Sequence, residues 1–326
     1  MSLFHWILLR LPPEWAHELA KAFLRLRQWI YVRLLRRKYS PKAAIHIPAF
    51  APLRFPGRWG IAAGLDKNAE FFASLAWMGA GFVEVGTVVP LAQAGNPKPR
   101  LWRPAPGTLI NHMGFNSEGL GVFKKNILEY RSVVKGLPLF ANIGKNRETP
   151  MEMALDDYRR CFEYLQDCVD GFVVNISSPN TPGLVDLQSE AFATSIAGLA
   201  PKGMPVLIKL SPDLDNRKLS AIAACVKGEP RLAGIVVTNT SREMAEEVFG
   251  KDRGGLSGRP LFSRALECVQ VVRDGIGSDK AVIGVGGIWN AQSARQMRDA
   301  GADLVEVYTG LVYRGASLMH ELSQLE

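Results

Sequence analysis

The chain has 326 residues, 47% of them hydrophobic and 21% charged, an ordinary composition for a soluble globular protein. A chain of this length buries a core large enough to need no disulfide staples. Cys161, Cys168, Cys225 and Cys268 form no CxxC pair and no metal-ligand spacing with the scattered histidines, so they read as buried, reduced thiols rather than a zinc site.

The formal net charge of +8 belongs to one end of the chain. Residues 1–42 hold nine basic residues (Arg10, Lys21, Arg25, Arg27, Arg33, Arg36, Arg37, Lys38, Lys42) against Glu14 and Glu18, a net +7. The remaining 284 residues share about +1. The same segment carries helical apolar stripes. Phe4, Ile7, Leu8 and Leu11 form a short one. Trp15, Leu19, Ala22, Phe23, Leu26, Trp29 and Ile30 form a longer one. Pro12-Pro13 divides them into two helices, because proline ends the first and starts the second well. Neither apolar run approaches the ~20 residues needed to cross a bilayer, and Arg10, Lys21 and Arg25 interrupt any signal-peptide core. Aromatic stripes beside Lys and Arg fit a helix lying in a membrane interface. A helical cap packed on the main domain with a solvated basic face fits the same periodicity. The clustering of charge in this segment favours the membrane.

From residue 43 onward, short apolar runs alternate with helical patterns. The runs are Gly60–Gly64, Phe82–Gly86, Leu139–Ile143, Phe172–Ile176, Val206–Leu210, Ile235–Thr238, Val282–Val285 and Leu304–Tyr308. Continuous rather than alternating apolar character marks strands buried on both faces of a parallel sheet. Helical patterns such as Met151–Cys168, Lys218–Lys227, Ser263–Gly275 and Ala291–Ala300 lie between them. Eight such units predict a (β/α)8 barrel over residues 43–326. A doubly wound sheet would show GxGxxG after its first strand and an acid about 20 residues on, and neither is present. The gaps between strands two and three and between six and seven are wide, which predicts inserted loops or short strands over the barrel mouth.

Active sites in such barrels gather at the C-terminal strand ends. Here those ends read Ala63-Gly64-Leu65-Asp66-Lys67, Thr87, Asn142, Asn175 with Ser177-Ser178, Lys209, Thr238-Asn239-Thr240, Gly286-Gly287 and Tyr308-Thr309-Gly310. No carboxylate pair for hydrolysis and no His/carboxylate metal cluster appears among them. Amides, hydroxyls and two lysines suit a planar, anionic, hydrogen-bonding ligand. Glycine-rich ends on the last two strands suit a phosphate held by backbone N–H groups.

Longer strings then identify a family. Ala62-Ala63-Gly64-Leu65-Asp66-Lys67-Asn68, Gly86-Thr87-Val88, Gly95-Asn96-Pro97-Lys98-Pro99-Arg100 and Asn111-His112-Met113-Gly114-Phe115-Asn116 resemble dihydroorotate dehydrogenase motifs. So do Asn142-Ile143-Gly144-Lys145-Asn146, Asn175-Ile176-Ser177-Ser178-Pro179-Asn180-Thr181-Pro182-Gly183, Thr238-Asn239-Thr240, Gly254–Gly258 and Gly284–Ile288. The match is collinear from about residue 59 to 315, and the basic N-terminus resembles the extension of the class 2, quinone-using branch. Serine at 178, where class 1 enzymes carry cysteine, points to the same branch. Ser117 and Thr309 depart from the commonest Asn and Ser.

The resemblance implies one bound FMN per chain and oxidation of (S)-dihydroorotate to orotate in de novo pyrimidine biosynthesis. Ser178 would take the C5 proton while hydride passes to flavin N5, and electrons then go to ubiquinone or menaquinone. It implies substrate contacts from Lys67, Asn111, His112, Met113, Gly114, Phe115, Asn175, Asn180, Asn239 and Thr240. The FMN cradle would comprise Ala63, Gly64, Leu65, Asp66, Lys67, Thr87, Asn142, Asn175, Lys209, Thr238, Gly258, Gly287, Tyr308 and Thr309. Pro179, Pro182 and Gly183 are expected to stiffen and hinge a mobile Ser178 loop. The N-terminal helices would form an apolar quinone tunnel, with His17, Arg103 and Tyr308 as polar contacts. No metal, nucleic-acid partner or obligate protein partner is implied. The expected location is peripheral, on the cytoplasmic face of a bacterial membrane, because no transit peptide is evident.

Two other functions fit parts of the pattern. One is another FMN barrel, such as a reductase acting on an RNA base or a free pyrimidine; an RNA substrate would need a basic mouth, whereas the barrel portion is nearly neutral. A membrane-binding module without activity explains residues 1–42 but leaves the polar strand ends without a purpose.

Overall fold

The computed structural model describes residues 3–36, 39–41, 44–180, 183–250 and 254–324. The expected segment boundary at 42/43, the charges of Arg37, Lys38 and Lys42, and loop positions Thr181 and Pro182 lie outside the described residues.

All eight predicted strands form, and they close into one parallel barrel. They are β1 (Trp59–Ile61), β2 (Phe82–Val88), β3 (Leu139–Ile143), β4 (Gly171–Asn175), β5 (Val206–Leu210), β6 (Gly234–Val237), β7 (Ala281–Val285) and β8 (Leu304–Val307). Each pairs with the next in sequence, and β8 returns to β1 with Val305 opposite Trp59. Every residue of these strands is buried, which is why they lack an alternating pattern.

Outward strand residues pack against the helices as one continuous core. Inward residues form a second core at the strands' N-terminal end. There Phe55, from a short hairpin (Ile45–His46 with Arg54–Phe55), and Phe50 stack with Phe82 and Phe140. Ring centroids in this plug lie 5.3–6.4 Å apart. The plug fills the barrel interior at its N-terminal end, opposite the C-terminal mouth.

Both wide gaps hold the expected insertions. Leu101–Trp102, Thr108–Asn111 and Gly255–Gly258 form a three-stranded antiparallel sheet. The first unit departs from the helical rhythm, since only the five-residue helix Phe72–Ala76 follows β1. The N-terminal segment folds as α1 (Leu3–Arg10) and α2 (Pro13–Trp29), with Pro13 in the first turn of α2 and a π-helical turn, Ile30–Leu34, after it. No helix among the described residues is long and apolar enough to cross a membrane.

Candidate active site

The mouth contains a cavity of about 1060 Å³, counting the part open to solvent. Small-molecule sites are commonly of this order. The strand ends bring most of the expected residues to its wall. After β1 come Ala63, Gly64 and Lys67, after β4 Asn175, Ser178 and Asn180, and after β6 Thr238, Asn239 and Thr240. Thr87, Lys209, Gly287, Tyr308 and Thr309 come from β2, β5, β7 and β8. The insertions contribute Asn111, Met113, Gly114, Phe115 and Gly258.

Side-chain amides here are cross-braced rather than loose. Asn239 Nδ2 donates to Asn175 Oδ1 at 3.2 Å and to Ser177 Oγ at 3.0 Å. Asn175 Nδ2 donates to Thr87 Oγ1 at 3.1 Å and to Asn142 Oδ1 at 3.2 Å. Asn180 Nδ2 reaches Asn111 Oδ1 at 3.0 Å across the mouth. Such bracing fixes which edge of each amide faces the cavity. Asn180 Oδ1 and Thr240 Oγ1 are buried with no protein partner, so the wall presents an acceptor and a hydroxyl to a ligand. Ser178 is buried, and its Oγ accepts from the Asn180 backbone N–H at 3.3 Å.

Asn142 belongs to the layer beneath: it does not line the cavity but accepts from Thr87 Oγ1 and donates to Glu84. Glu84 in turn receives Lys209 Nζ at 3.1 Å, and Glu306 lies 3.9 Å from the same ammonium. The two carboxylates push the Lys209 pKa up against the opposing pull of burial. Neither acid was expected from the strand ends, because both lie inside apolar runs, at Phe82–Val88 and Leu304–Val307. A charge within such a run is the signal that finds them.

Leu65, Asp66 and His112 also stand off the cavity wall. Asp66 is fully buried, and its carboxylate accepts the backbone N–H groups of Glu70 and Phe71 at 2.7 and 2.8 Å. Burial raises its pKa to about 7. It shapes the chain after Lys67 rather than facing a ligand. His112 lies in the inserted region, its N–H bonded to Arg100 O at 2.8 Å. Lys67 is half-buried, and desolvation with Arg100 nearby lowers its pKa to about 8.

Leu65 and Lys67 also line a second, smaller cavity under α2, together with His17, Glu14, Lys21 and Arg100. Burial, then Lys21, lowers the His17 pKa to about 4, so that ring is neutral. The three quinone candidates have different surroundings, although the two cavities share Lys67, Leu101 and Met113. His17 sits in this small cavity and Tyr308 in the large one, and Arg103 donates to the backbone carbonyls of Leu8, Leu9 and Leu11 at the end of α1.

The donor set at the far end of the large cavity fits a phosphate-bearing flavin. Bare backbone lines it at Gly286, Gly287 and Gly310. Ser257 Oγ and Thr309 Oγ1 stand 2.8 Å apart beside them. After the neighbouring strand β1, a Cβ on Gly64 would meet only the Tyr308 ring, at 3.4 Å, so the wall there is open backbone. Among the described residues no cluster of three or more His, Cys, Asp or Glu could hold a metal. The four cysteines are free thiols, Cys225 half-buried and the others buried.

The dihydroorotate dehydrogenase family model matches residues 48–325. A "dihydroorotate dehydrogenase (quinone)" from Delftia acidovorans is 39% identical, over 99% of this chain and 98% of its own. One of the same name from Legionella pneumophila is also 39% identical, over 98% and 97%. The ligand-free DHODH of Eimeria tenella superposes with a TM-score of 0.83 at 32% identity, covering 96% of this chain and 93% of that one.

Proposed function

The chain belongs to the dihydroorotate dehydrogenase family, and from that premise we propose that it oxidises dihydroorotate to orotate in pyrimidine biosynthesis and delivers the electrons to a quinone. The observation that carries the reading is the cavity wall itself. Ser178 stands there among braced amides, an orphaned acceptor and hydroxyl, and a lysine held short of full solvation.

FMN, when bound, supplies the hydride acceptor. Glycine backbone at 286, 287 and 310, with Ser257 and Thr309, would hold its phosphate, and Lys209 would place positive charge at the ring. Lys67 would bind the substrate carboxylate. Asn111, Asn175, Asn180, Asn239 and Thr240 would hold the pyrimidine amides, since each amide side chain offers both donor and acceptor. Ser178 would remove the C5 proton. A serine hydroxyl is a weak base in water, so its burial and its contact with the Asn180 N–H serve to position it. The inserted sheet, which lines the cavity through Leu101, Leu109 and Asn111, would shield the reacting atoms from water.

The N-terminal helices would seat the enzyme peripherally on a bacterial membrane, at its cytoplasmic face. Trp15, Leu19, Phe23, Leu26 and Trp29 are all exposed, which supports insertion of that stripe into the interface.

The test is an assay of dihydroorotate oxidation on protein purified in mild detergent, with a soluble ubiquinone analogue as acceptor and fumarate and NAD as controls. We expect flavin absorbance, turnover with quinone only, and a loss of about 10²–10⁴-fold in Ser178→Ala with flavin retained. A yellow protein that ignores dihydroorotate would sink the substrate assignment. Turnover with fumarate or NAD alone would overturn the quinone step.

A further inference from the structure

Three strands send ionisable side chains to the floor of the cavity: Glu84 from β2, Lys209 from β5 and Glu306 from β8. Their exposures are 0%, 4% and 1%, so water contributes little to solvating any of them. Lys209 Nζ lies 3.1 and 3.3 Å from the two Glu84 oxygens, and Asn142 donates to the same carboxylate. Glu306 has a poorer position. It lines the cavity, yet neither oxygen receives a hydrogen bond from a protein donor, and the lysine stays 3.9 Å away. Among the described residues, Lys209 is the only ion-pair partner of either acid. On the flanking strands Glu306 stands in register with Gly60 and Val285, neither of which titrates. Tyr308 lines the same wall and stays protonated, its pKa pushed up by burial to about 12.

Two buried carboxylates against one ammonium would leave an uncompensated negative charge at low dielectric, an expensive arrangement. We propose that Glu306 carries a proton in the resting protein and shares it with Glu84, leaving a net-neutral Glu84–Lys209–Glu306 cluster at the cavity floor. A protonated Glu306 becomes a donor to the Glu84 carboxylate, which already accepts from Lys209 and Asn142. Burial and then the Glu84 charge push the Glu306 pKa in this direction.

The consequence rests on the flavin reading above. Glu306 acts as a positioning residue for charge. While neutral, it leaves Lys209 offset by one carboxylate only. Once ionised, it would add negative charge beside a ring that itself becomes anionic on reduction, and would lower the ring's potential.

Infrared spectroscopy of the purified holoprotein at pH 9 reads the proton directly. Exposed carboxyls are ionised there, as is Asp66 with its pKa of about 7. We expect a surviving protonated-carboxyl C=O band in the wild type that disappears in Glu306→Gln. If that variant does not accumulate, Glu306→Asp should shift the band instead. A wild-type spectrum without such a band overturns the proposal.

Melting curves give a second readout. A carboxyl whose folded pKa is raised contributes stability below its unfolded value of about 4.3 and loses it as pH climbs toward the folded value. The Tm of Glu306→Gln should therefore gain steadily on the wild type from pH 5 to 9, and parallel curves would overturn the proposal. At pH 7 the flavin midpoint potentials of the two proteins should coincide. A more positive potential in the variant would mean Glu306 is ionised. Absence of flavin from both proteins would sink the cofactor reading alone, leaving the band and the melting curves to decide the proton.

Discussion

The α1–α2 hairpin and the barrel helices obey opposite rules. Helix Phe262–Ile276 buries Ala265, Cys268, Val269, Val272 and Ile276 against the strands, as an amphipathic helix on a sheet should. α2 does the reverse. Its stripe of Trp15, Leu19, Phe23, Leu26 and Trp29 is exposed, and its one fully buried side chain is Gln28. The hairpin packs Leu24 against the core and adds polar contacts with the barrel. Glu14 accepts the Arg100 N–H at 2.6 Å, and Lys21 and Arg25 reach Glu70 at 3.3 and 3.0 Å. His5 meets Val312 O at 2.9 Å. Periodicity tells which residues share a face but not which face turns inward. A helix whose apolar stripe stays exposed, apart from the contact of Phe23 with the Phe4 ring of α1 (centroids 4.6 Å apart), is built for another apolar phase.

The largest expected effect tests that inversion. Trp15 is 73% exposed and Leu26 56%, so charging both should leave the fold untouched. Burying one such side chain in an interface contributes about 1.5–3 kcal/mol. Trp15→Asp combined with Leu26→Asp should therefore weaken binding to anionic phospholipid vesicles by more than about 100-fold. Sedimentation measures the binding and calorimetry the Tm. A Tm drop of many degrees would show instead that the stripe packs on the barrel.

Lys67 joins the two regions, lining both the large cavity and the small one under α2. Its ammonium binds an anion only while protonated, and burial has brought its pKa down to about 8. For dihydroorotate, kcat/KM should fall above pH 8 by about tenfold per unit, while kcat at saturation breaks at higher pH because bound carboxylate holds the proton on. Lys67→Arg should move the kcat/KM break upward. A flat profile from about pH 7 to 10 would remove Lys67 from the anion site.

Much of this was legible in the sequence, for identifiable reasons. Doubly buried strands leave continuous apolar runs, so all eight appeared with ends close to those observed. Lys209, Asn175 and Thr238 were visible because polar residues at the end of an apolar run have few other reasons to be there. Glu84 and Glu306 do not stand out at strand ends, because each lies two residues inside its apolar run, Phe82–Gly86 and Leu304–Tyr308. Asp66 stands between Leu65 and Lys67 in sequence, yet its carboxylate turns away from the cavity onto the backbone N–H groups of Glu70 and Phe71, a direction that sequence order does not encode. Nor does it encode that Arg103 would cap α1 and leave His17 and Tyr308 in separate cavities.

The smallest effect concerns what holds the inverted helix in place. Gln28 Nε2 donates to Glu70 O at 2.9 Å, and its Oε1 accepts the Ser74 N–H at 3.2 Å, both across the seam between α2 and the chain after β1. Gln28→Ala leaves the Glu70 carbonyl without its donor, while the Ser74 N–H keeps the Phe71 carbonyl at 2.9 Å, at a cost of about 1–3 kcal/mol. The ion pairs of Lys21 and Arg25 with Glu70 lie nearer solvent, and such pairs contribute about 0–1 kcal/mol. Amide exchange in α2 should accordingly accelerate about five- to 150-fold in Gln28→Ala and less than about fivefold in Glu70→Gln, with barrel amides unchanged in both. The reverse ranking would mean that charge docks the hairpin, and then exchange in α2 would rise with salt in the wild type. An effect of Gln28→Ala on barrel amides would mean that hairpin and barrel open as one unit, which would end the distinction between the two regions.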